Sequence, residues 1–196
     1  MVGDSWTHKM ARFCIMPLVG TFITPNHLTT LRLLTGVAAC VAFAIGDRHW
    51  EIWGGILWVI SAFLDRADGE LARVGGTCSA SGHAYDYAVD VAVNGLVFIG
   101  IGTGLRGSSL GNWAIALGLL AGVTIIAASL LSESLEKHEN TGDGKAYEGF
   151  AGFDFDDVLY LFGPIAWMSW LMPLLIGAAI GGPVFALITW WRLSRL

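Results

Sequence analysis

The chain is predicted to fold as an all-α integral membrane protein, with six transmembrane helices preceded by an N-terminal interfacial amphipathic helix. Three observations predict it. Hydrophobic residues make up 55 % of the 196 residues and charged residues only 14 %, with a mean hydropathy of +0.62, whereas soluble domains carry about a quarter charged residues. The apolar residues gather in runs near the roughly 20 residues that a bilayer requires. Polar turns separate the runs and tryptophans border some of them, as expected at a membrane–water interface. The net charge of −5 says less than where the charges fall. Cys14, Cys40 and Cys78 form no CxxC pair and read as free thiols, not as a disulfide framework or a zinc site.

Residues 4–23 place Trp6, Met10, Phe13 and Pro17 at helical spacing, with His8, Lys9 and Arg12 on other faces. This predicts a helix lying in the interface. A signal peptide is the rival reading, but no small-residue cleavage site follows, and Thr24-Pro25-Asn26 reads as a turn and helix start. Residues 1–27 are therefore taken as interfacial helix and entry turn, and 28–196 as the membrane domain. The first span is 28–45, with Arg32 one turn inside it. Asp47 to Glu51 form a polar loop beside Trp50 and Trp53. The second span begins at 52–64 and continues as a helix through Arg73. The third is 82–104 and the fourth 113–131. Residues 132–156, with Glu133, Lys137, His138 and Lys145, are predicted as a solvated loop. A short fifth span, 157–171, turns near Pro173, and the sixth, 174–191, is expected to kink at Gly181-Gly182-Pro183.

Six spans put both termini on one side. Lys9, Arg12, Arg32, Arg66, Arg73, Lys137, Lys145, Arg192 and Arg195 lie there, leaving Arg48 and Arg106 opposite. The positive-inside bias predicts cytoplasmic termini in a bacterial or archaeal cell membrane. Trp50, Trp53, Trp113, Trp167 and Trp170 are expected at the outer interface.

The stretch from Asp65 to Asp90 breaks the apolar pattern. Asp65 and Asp68 share a helix face, followed by Gly69, Ala72 and Arg73; Gly82, Asp86 and Asp90 recur every fourth residue. A Gly/Ser/Thr-containing hinge, 74–81, separates the two groups, so all four aspartates can converge. Four clustered carboxylates repel one another unless cations sit between them. Oxygen-only ligation selects a hard divalent ion, Mg or Mn before zinc, and a two-metal site is the sharpest reading. Arg73 can clamp a phosphate oxygen. Gly69, Ala72 and Gly82 are small either because a nucleotide approaches the backbone or because helices pack there. Asp90, a carboxylate beside a cation, can take a proton from an alcohol.

The string D-x2-D-G-x2-A-R-x8-G-x3-D-x3-D, filled by Asp65, Asp68, Gly69, Ala72, Arg73, Gly82, Asp86 and Asp90, resembles the signature of the CDP-alcohol phosphotransferase (CDP-alcohol phosphatidyltransferase) family. The resemblance implies that Asp65, Asp68 and Asp86 ligate two divalent cations, and that Asp90 contacts the second and acts as base. Gly69, Arg73 and Ser79, with Ala72 and Gly82 beside them, would hold the CDP part of the donor. Pro25-Asn26-x-x-Thr29 looks like the family's entry segment and makes Asn26 and Thr29 nucleotide-side candidates. The implied reaction is attack of an alcohol hydroxyl on a CDP-linked lipid donor such as CDP-diacylglycerol, releasing CMP, in phospholipid biosynthesis by a homodimer.

The acceptor, a small alcohol or an alcohol phosphate, is less defined. A phosphorylated acceptor calls for cations, for which Arg12, Arg32, Lys137, Lys145, Arg192 and Arg195 are available. Arg32 leads, with snorkelling to lipid headgroups as its rival role. The acidic run from Asp154 to Asp157 is read as a helix cap, or else as an attraction for a cationic or polyol acceptor. His83 and His138 show no ligand spacing, and no basic-aromatic cluster suggests nucleic acid. Rival readings are a CDP-polyol donor, a divalent-cation carrier and a silent scaffold. Carriers bind near the midplane, whereas these aspartates gather at one end.

Overall fold

The computed structural model describes residues 6–139 and 155–195. Seven α-helices form among them: α1 Trp6–Ile15, α2 Pro25–Ile45, α3 Arg48–Val74, α4 Ala80–Gly104, α5 Trp113–Glu139, α6 Phe162–Trp167 and α7 Leu171–Leu193. No strand occurs among the described residues.

Local chemistry sets the helix ends. Pro25 opens α2, where its missing N–H removes no helical bond. Gly46 closes it in the left-handed region at φ +74°, a conformation glycine adopts freely. The Asp47 carboxylate accepts from the N–H of His49 at 2.9 Å and starts α3. Ser79 does the same for α4, its Oγ accepting from the N–H of Gly82 at 3.1 Å.

Chain order becomes layer order. α2 packs on α3 and α4, α4 on α5, α5 on α7, and α3 on both α1 and α6. α4 sits in close backbone contact with two neighbours. A Cβ on Gly100 would lie 2.5 Å from the Cys40 carbonyl oxygen of α2, and one on Gly102 2.5 Å from that of Ala114 of α5. Small residues bring spans together where lipid supplies no hydrophobic drive between them. Trp58 stacks on Phe162 at 5.2 Å between centroids, and Phe98 meets Phe162 edge-on at 5.5 Å. A second apolar cluster, Ile15, Leu28, Leu64, Ala67 and Leu71, seats α1 on the bundle.

Among the described residues, four helices are long and apolar enough to cross a membrane: α2, α4 with its 3-10 extension, α5 through Leu135, and α7. α3 is as long as α5, but its charged C-terminal end dilutes its apolarity. The predicted fifth span differs most. Residues 155–161 form a 3-10 helix, and α6 adds only six residues. The following turn lies at Met168–Trp170, with Ser169 at φ +59°. Pro173 falls instead inside the first turn of α7, where proline is tolerated. α7 runs on as one helix through Pro183. α5 continues to Glu139, eight residues past its predicted end, because an amphipolar sequence extends a helix once its apolar part is packed. Lys145 and Asp154 lie outside the described residues, as do the side chains of Lys137 and His138.

The helix ends carrying Trp50, Trp53, Trp113 and Trp167 share one end of the bundle with the turn at Trp170, and all five side chains are exposed. The Asp65–Asp90 stretch occupies the other end. α1 buries Ala11 and Ile15 and exposes Met10 and Phe13.

Candidate metal and nucleotide site

The C-terminal end of α3 and the N-terminal end of α4 both pack on α2, and their aspartates approach one another beside it. Asp65, Asp68 and Asp86 each direct one carboxylate oxygen to a common point, all within 4.8 Å of one another. Asp68 is only 3 % exposed. Three hard oxygen donors at that spacing, drawn together against their own repulsion, fit a divalent cation such as Mg or Mn. Thr29 donates its hydroxyl to Asp68 Oδ2 at 2.7 Å. Buried at 2 % exposure, Thr29 has no open face for a nucleotide; it orients a carboxylate instead.

Asp90 stands apart from the three. Its Oδ1 accepts from Arg32 at 2.5 Å and from the Asn94 amide at 2.8 Å. Arg32 also reaches Asp65 at 2.6 Å and Asp86 at 3.2 Å. This corrects both expectations for Arg32. The side chain is 2 % exposed, so it neither snorkels to headgroups nor faces an incoming acceptor phosphate. Its Nε finds no acceptor; the carboxylates alone hold the guanidinium, as an internal counter-ion.

A second group forms the rim. A Cβ on Gly82 would lie 2.9 Å from Ser79 Oγ and 3.4 Å from Asn26 Oδ1, so these three predicted residues meet where α2 and α4 begin. Asn26 and Ser79 are exposed there. On α3, Gly69 and Ala72 are half-buried. The Arg73 guanidinium lies over Gly69, where an added Cβ would meet it at 3.5 Å. A carboxylate cluster beside a rim of small residues, hydroxyl, amide and guanidinium can take a phosphate-bearing ligand together with its cation.

Sequence reasoning missed three participants. Asn94 continues the four-residue ladder of Gly82, Asp86 and Asp90, a signal open to reading. Glu70 and His8 carried none: Glu70 fills a variable position of the motif, and its 1 % exposure depends on α1 covering it. Asp157, read from the sequence as part of a helix cap, also accepts from Thr7 at 2.7 Å and pairs with Arg66 at 3.3 Å.

The family model for CDP-alcohol phosphatidyltransferase matches residues 22–192. Archaetidylinositol phosphate synthase of Pyrococcus horikoshii is 31 % identical over 129 residues, covering 66 % of this chain and 62 % of that protein's length. The chain thus spans about three fifths of that relative. The crystal structure of Mycobacterium tuberculosis phosphatidylinositol phosphate synthase with CDP-DAG bound superposes with a TM-score of 0.63 at 22 % identity, covering 95 % of this chain and 94 % of that one. The same enzyme in complex with manganese and citrate gives 0.63 at 22 %, covering 94 % and 88 %. The two structures share the fold, and the family match embraces every residue of the carboxylate cluster: the chain belongs to the CDP-alcohol phosphatidyltransferase family.

Proposed function

We propose that this protein transfers a phosphatidyl-type group from a CDP-linked lipid, CDP-diacylglycerol in the first instance, to the hydroxyl of a small hydrophilic alcohol, releasing CMP. The observation that carries the reading is the convergence of Asp65, Asp68 and Asp86 within 4.8 Å inside a complete family motif. These three would hold a divalent cation, Mg or Mn, with Asp90 as the further ligand if two are bound. Bound there, the metal would neutralise the pyrophosphate and stabilise charge on the attacking and leaving oxygens.

The chain's own residues divide the remaining work. Asn26, Ser79 and Gly82 line the entry for the nucleotide, and Arg73 over Gly69 holds a phosphate oxygen. The acceptor oxygen forms a new bond to the phosphorus that carries the lipid, the bond from that phosphorus to CMP breaks, and Asp90 takes the hydroxyl proton. Arg32 and Asn94, both on Asp90 Oδ1, leave its second oxygen to face the acceptor. Thr29 keeps Asp68 turned to the common point.

The membrane reading places six crossings, with α3 and the 157–167 segment as the two less apolar ones. α1 lies in the interface through Met10 and Phe13. The termini and carboxylates face the cytoplasm, where CDP-lipid and soluble acceptor meet, and the protein works as a homodimer. The relatives are named for inositol phosphate lipids, so inositol phosphate heads the acceptor panel, ahead of glycerol 3-phosphate, inositol, serine and amino alcohols. The test is CMP release by purified protein with CDP-diacylglycerol, and with a diether CDP-lipid, in Mg or Mn. Acceptor-dependent CMP release that a chelator abolishes is expected. Folded protein that binds no CDP and releases no CMP with any acceptor would sink the reading.

A further inference from the structure

Glu70 sits on α3 between Gly69 and Arg73, yet faces away from the carboxylate cluster. It is 1 % exposed and receives three groups. Arg12 Nε donates to Oε2 at 2.9 Å, His8 Nδ1 meets Oε1 at 2.9 Å, and Arg73 donates to Oε1 at 2.8 Å. With its proton on Nδ1, His8 donates to Glu70 and accepts at Nε2 from Arg66 at 3.0 Å. His8 and Arg12 both belong to α1, which precedes the family-matched stretch 22–192. A buried carboxylate needs such partners, because an unpaired charge there is costly.

The geometry assigns to Glu70 a positioning role: held by His8 and Arg12 of the N-terminal helix, it fixes the Arg73 guanidinium over Gly69, so that α1 becomes a working part of the donor subsite. The inference rests on the proposed transferase reading. Arg73 has a 54 % exposed side chain on a helix that ends one residue later. Alone it would sample many rotamers, and ordering it on each binding event would weaken affinity. Its bond to Glu70 uses one terminal nitrogen and leaves the other side of the planar fork for a phosphate oxygen. The ordering is thus done before the donor arrives, by residues that never touch it.

The experiment compares wild type with Glu70→Gln, Arg12→Gln and Arg12→Lys. It reads donor and acceptor KM, kcat, CDP affinity by calorimetry, and melting temperature. Glu70→Gln and Arg12→Gln are expected to raise the donor KM and weaken CDP binding about tenfold, the scale of one charge-assisted hydrogen bond. kcat at saturating donor and acceptor KM should stay within about twofold, because uniform binding alone is lost. Arg12→Lys restores much of the donor KM, and a double variant carrying Glu70→Gln and Arg12→Gln is no worse than Glu70→Gln alone, as expected for members of one network. CDP affinity unchanged in both Gln variants, or donor KM and acceptor KM rising and kcat falling together in step with a lowered melting temperature, would overturn the role. Arg12, at 44 % side-chain exposure, supplies a variant that folds should Glu70→Gln fail to. Wild-type protein that binds no CDP would bring down the transferase reading and this inference together; wild-type binding that both Gln variants retain brings down the inference alone.

Discussion

Replacing Arg32 by methionine removes a guanidinium that lies 2.6 Å from Asp65, 3.2 Å from Asp86 and 2.5 Å from Asp90. Methionine keeps a long unbranched side chain of similar helix propensity, so the change is chiefly one of charge. Taking one partner from a buried ion pair costs about 3–5 kcal/mol, because the other charge is left unpaired. The three carboxylates are between 23 % and 37 % exposed, so water screens part of this, and the lower end, about 3 kcal/mol, is expected. For a chain of this length that lowers Tm by roughly 6–12 °C. A divalent cation added to the variant meets the full carboxylate charge without a resident guanidinium to share it. At a hundred times Kd it returns about 2.7 kcal/mol, and each tenfold gain in affinity adds about 1.4 kcal/mol. The metal-induced rise in Tm should therefore exceed that of wild type and recover most of the loss. The assay is thermal unfolding in detergent after chelator treatment, followed by titration with MnCl2 or MgCl2. Equal Tm for the two stripped proteins, or an equal metal increment in both, would refute the assignment of Arg32 as the cluster's counter-ion.

Asp90→Asn should lower kcat by roughly 10²- to 10⁴-fold, the usual contribution of a general base. It should leave the metal-dependent rise in Tm in place, since Asp65, Asp68 and Asp86 converge without it; full activity in this variant would remove Asp90 from the base role. Thr29→Val conserves shape but deletes the hydroxyl donated to buried Asp68, so stability should fall by about 1–3 kcal/mol and Mn affinity with it, measured by calorimetry. Gly100→Ala and Gly177→Ala form a matched pair on two spanning helices. The first drives a Cβ to 2.5 Å from the Cys40 carbonyl, and the second meets nothing within 4 Å. Melting temperature should drop for Gly100→Ala and hold or rise for Gly177→Ala, where alanine gains up to about 1 kcal/mol of helix propensity.

What the sequence made readable was whatever repeats along one helix. The spacing of Asp65 and Asp68, and of Gly82, Asp86 and Asp90, placed two sets of side chains on known faces, and a hinge of the right length allowed them to meet. Hydropathy found α2, α4, α5 and α7 because each is apolar over a full membrane thickness. It drew 157–171 as one regular helix, where an apolar stretch of suitable composition is divided between a 3-10 helix, a short α-helix and a turn at Ser169. Composition cannot distinguish those from one straight span. Arg32 was visible as a cation inside a span, but whether it pointed to lipid, ligand or protein depended on how α2 is rotated against α3 and α4. Thr29 posed the same problem one turn earlier. Contacts between elements far apart in sequence, such as Arg12 with Glu70 or Thr7 with Asp157, leave no periodic trace.

The end of α3 shows why these two kinds of information met in one place. At 100° per residue, Asp65, Asp68, Gly69 and Ala72 occupy one arc, Arg66, Glu70 and Arg73 a second, and Ala67 and Leu71 a third. The third arc is buried in the apolar cluster beneath α1. The first turns toward α2 and α4, where Arg32, Thr29 and Asp86 complete it. The second turns to α1, which supplies His8 and Arg12. No arc is left as an ordinary solvated face, so a run of charges that resembles an exposed helix terminus is instead consumed by packing on three sides. Arg73 lies at the seam between the first two arcs. A change on α1 can therefore reach the proposed nucleotide side of the site without disturbing the carboxylates that gather on the other side of the same helix.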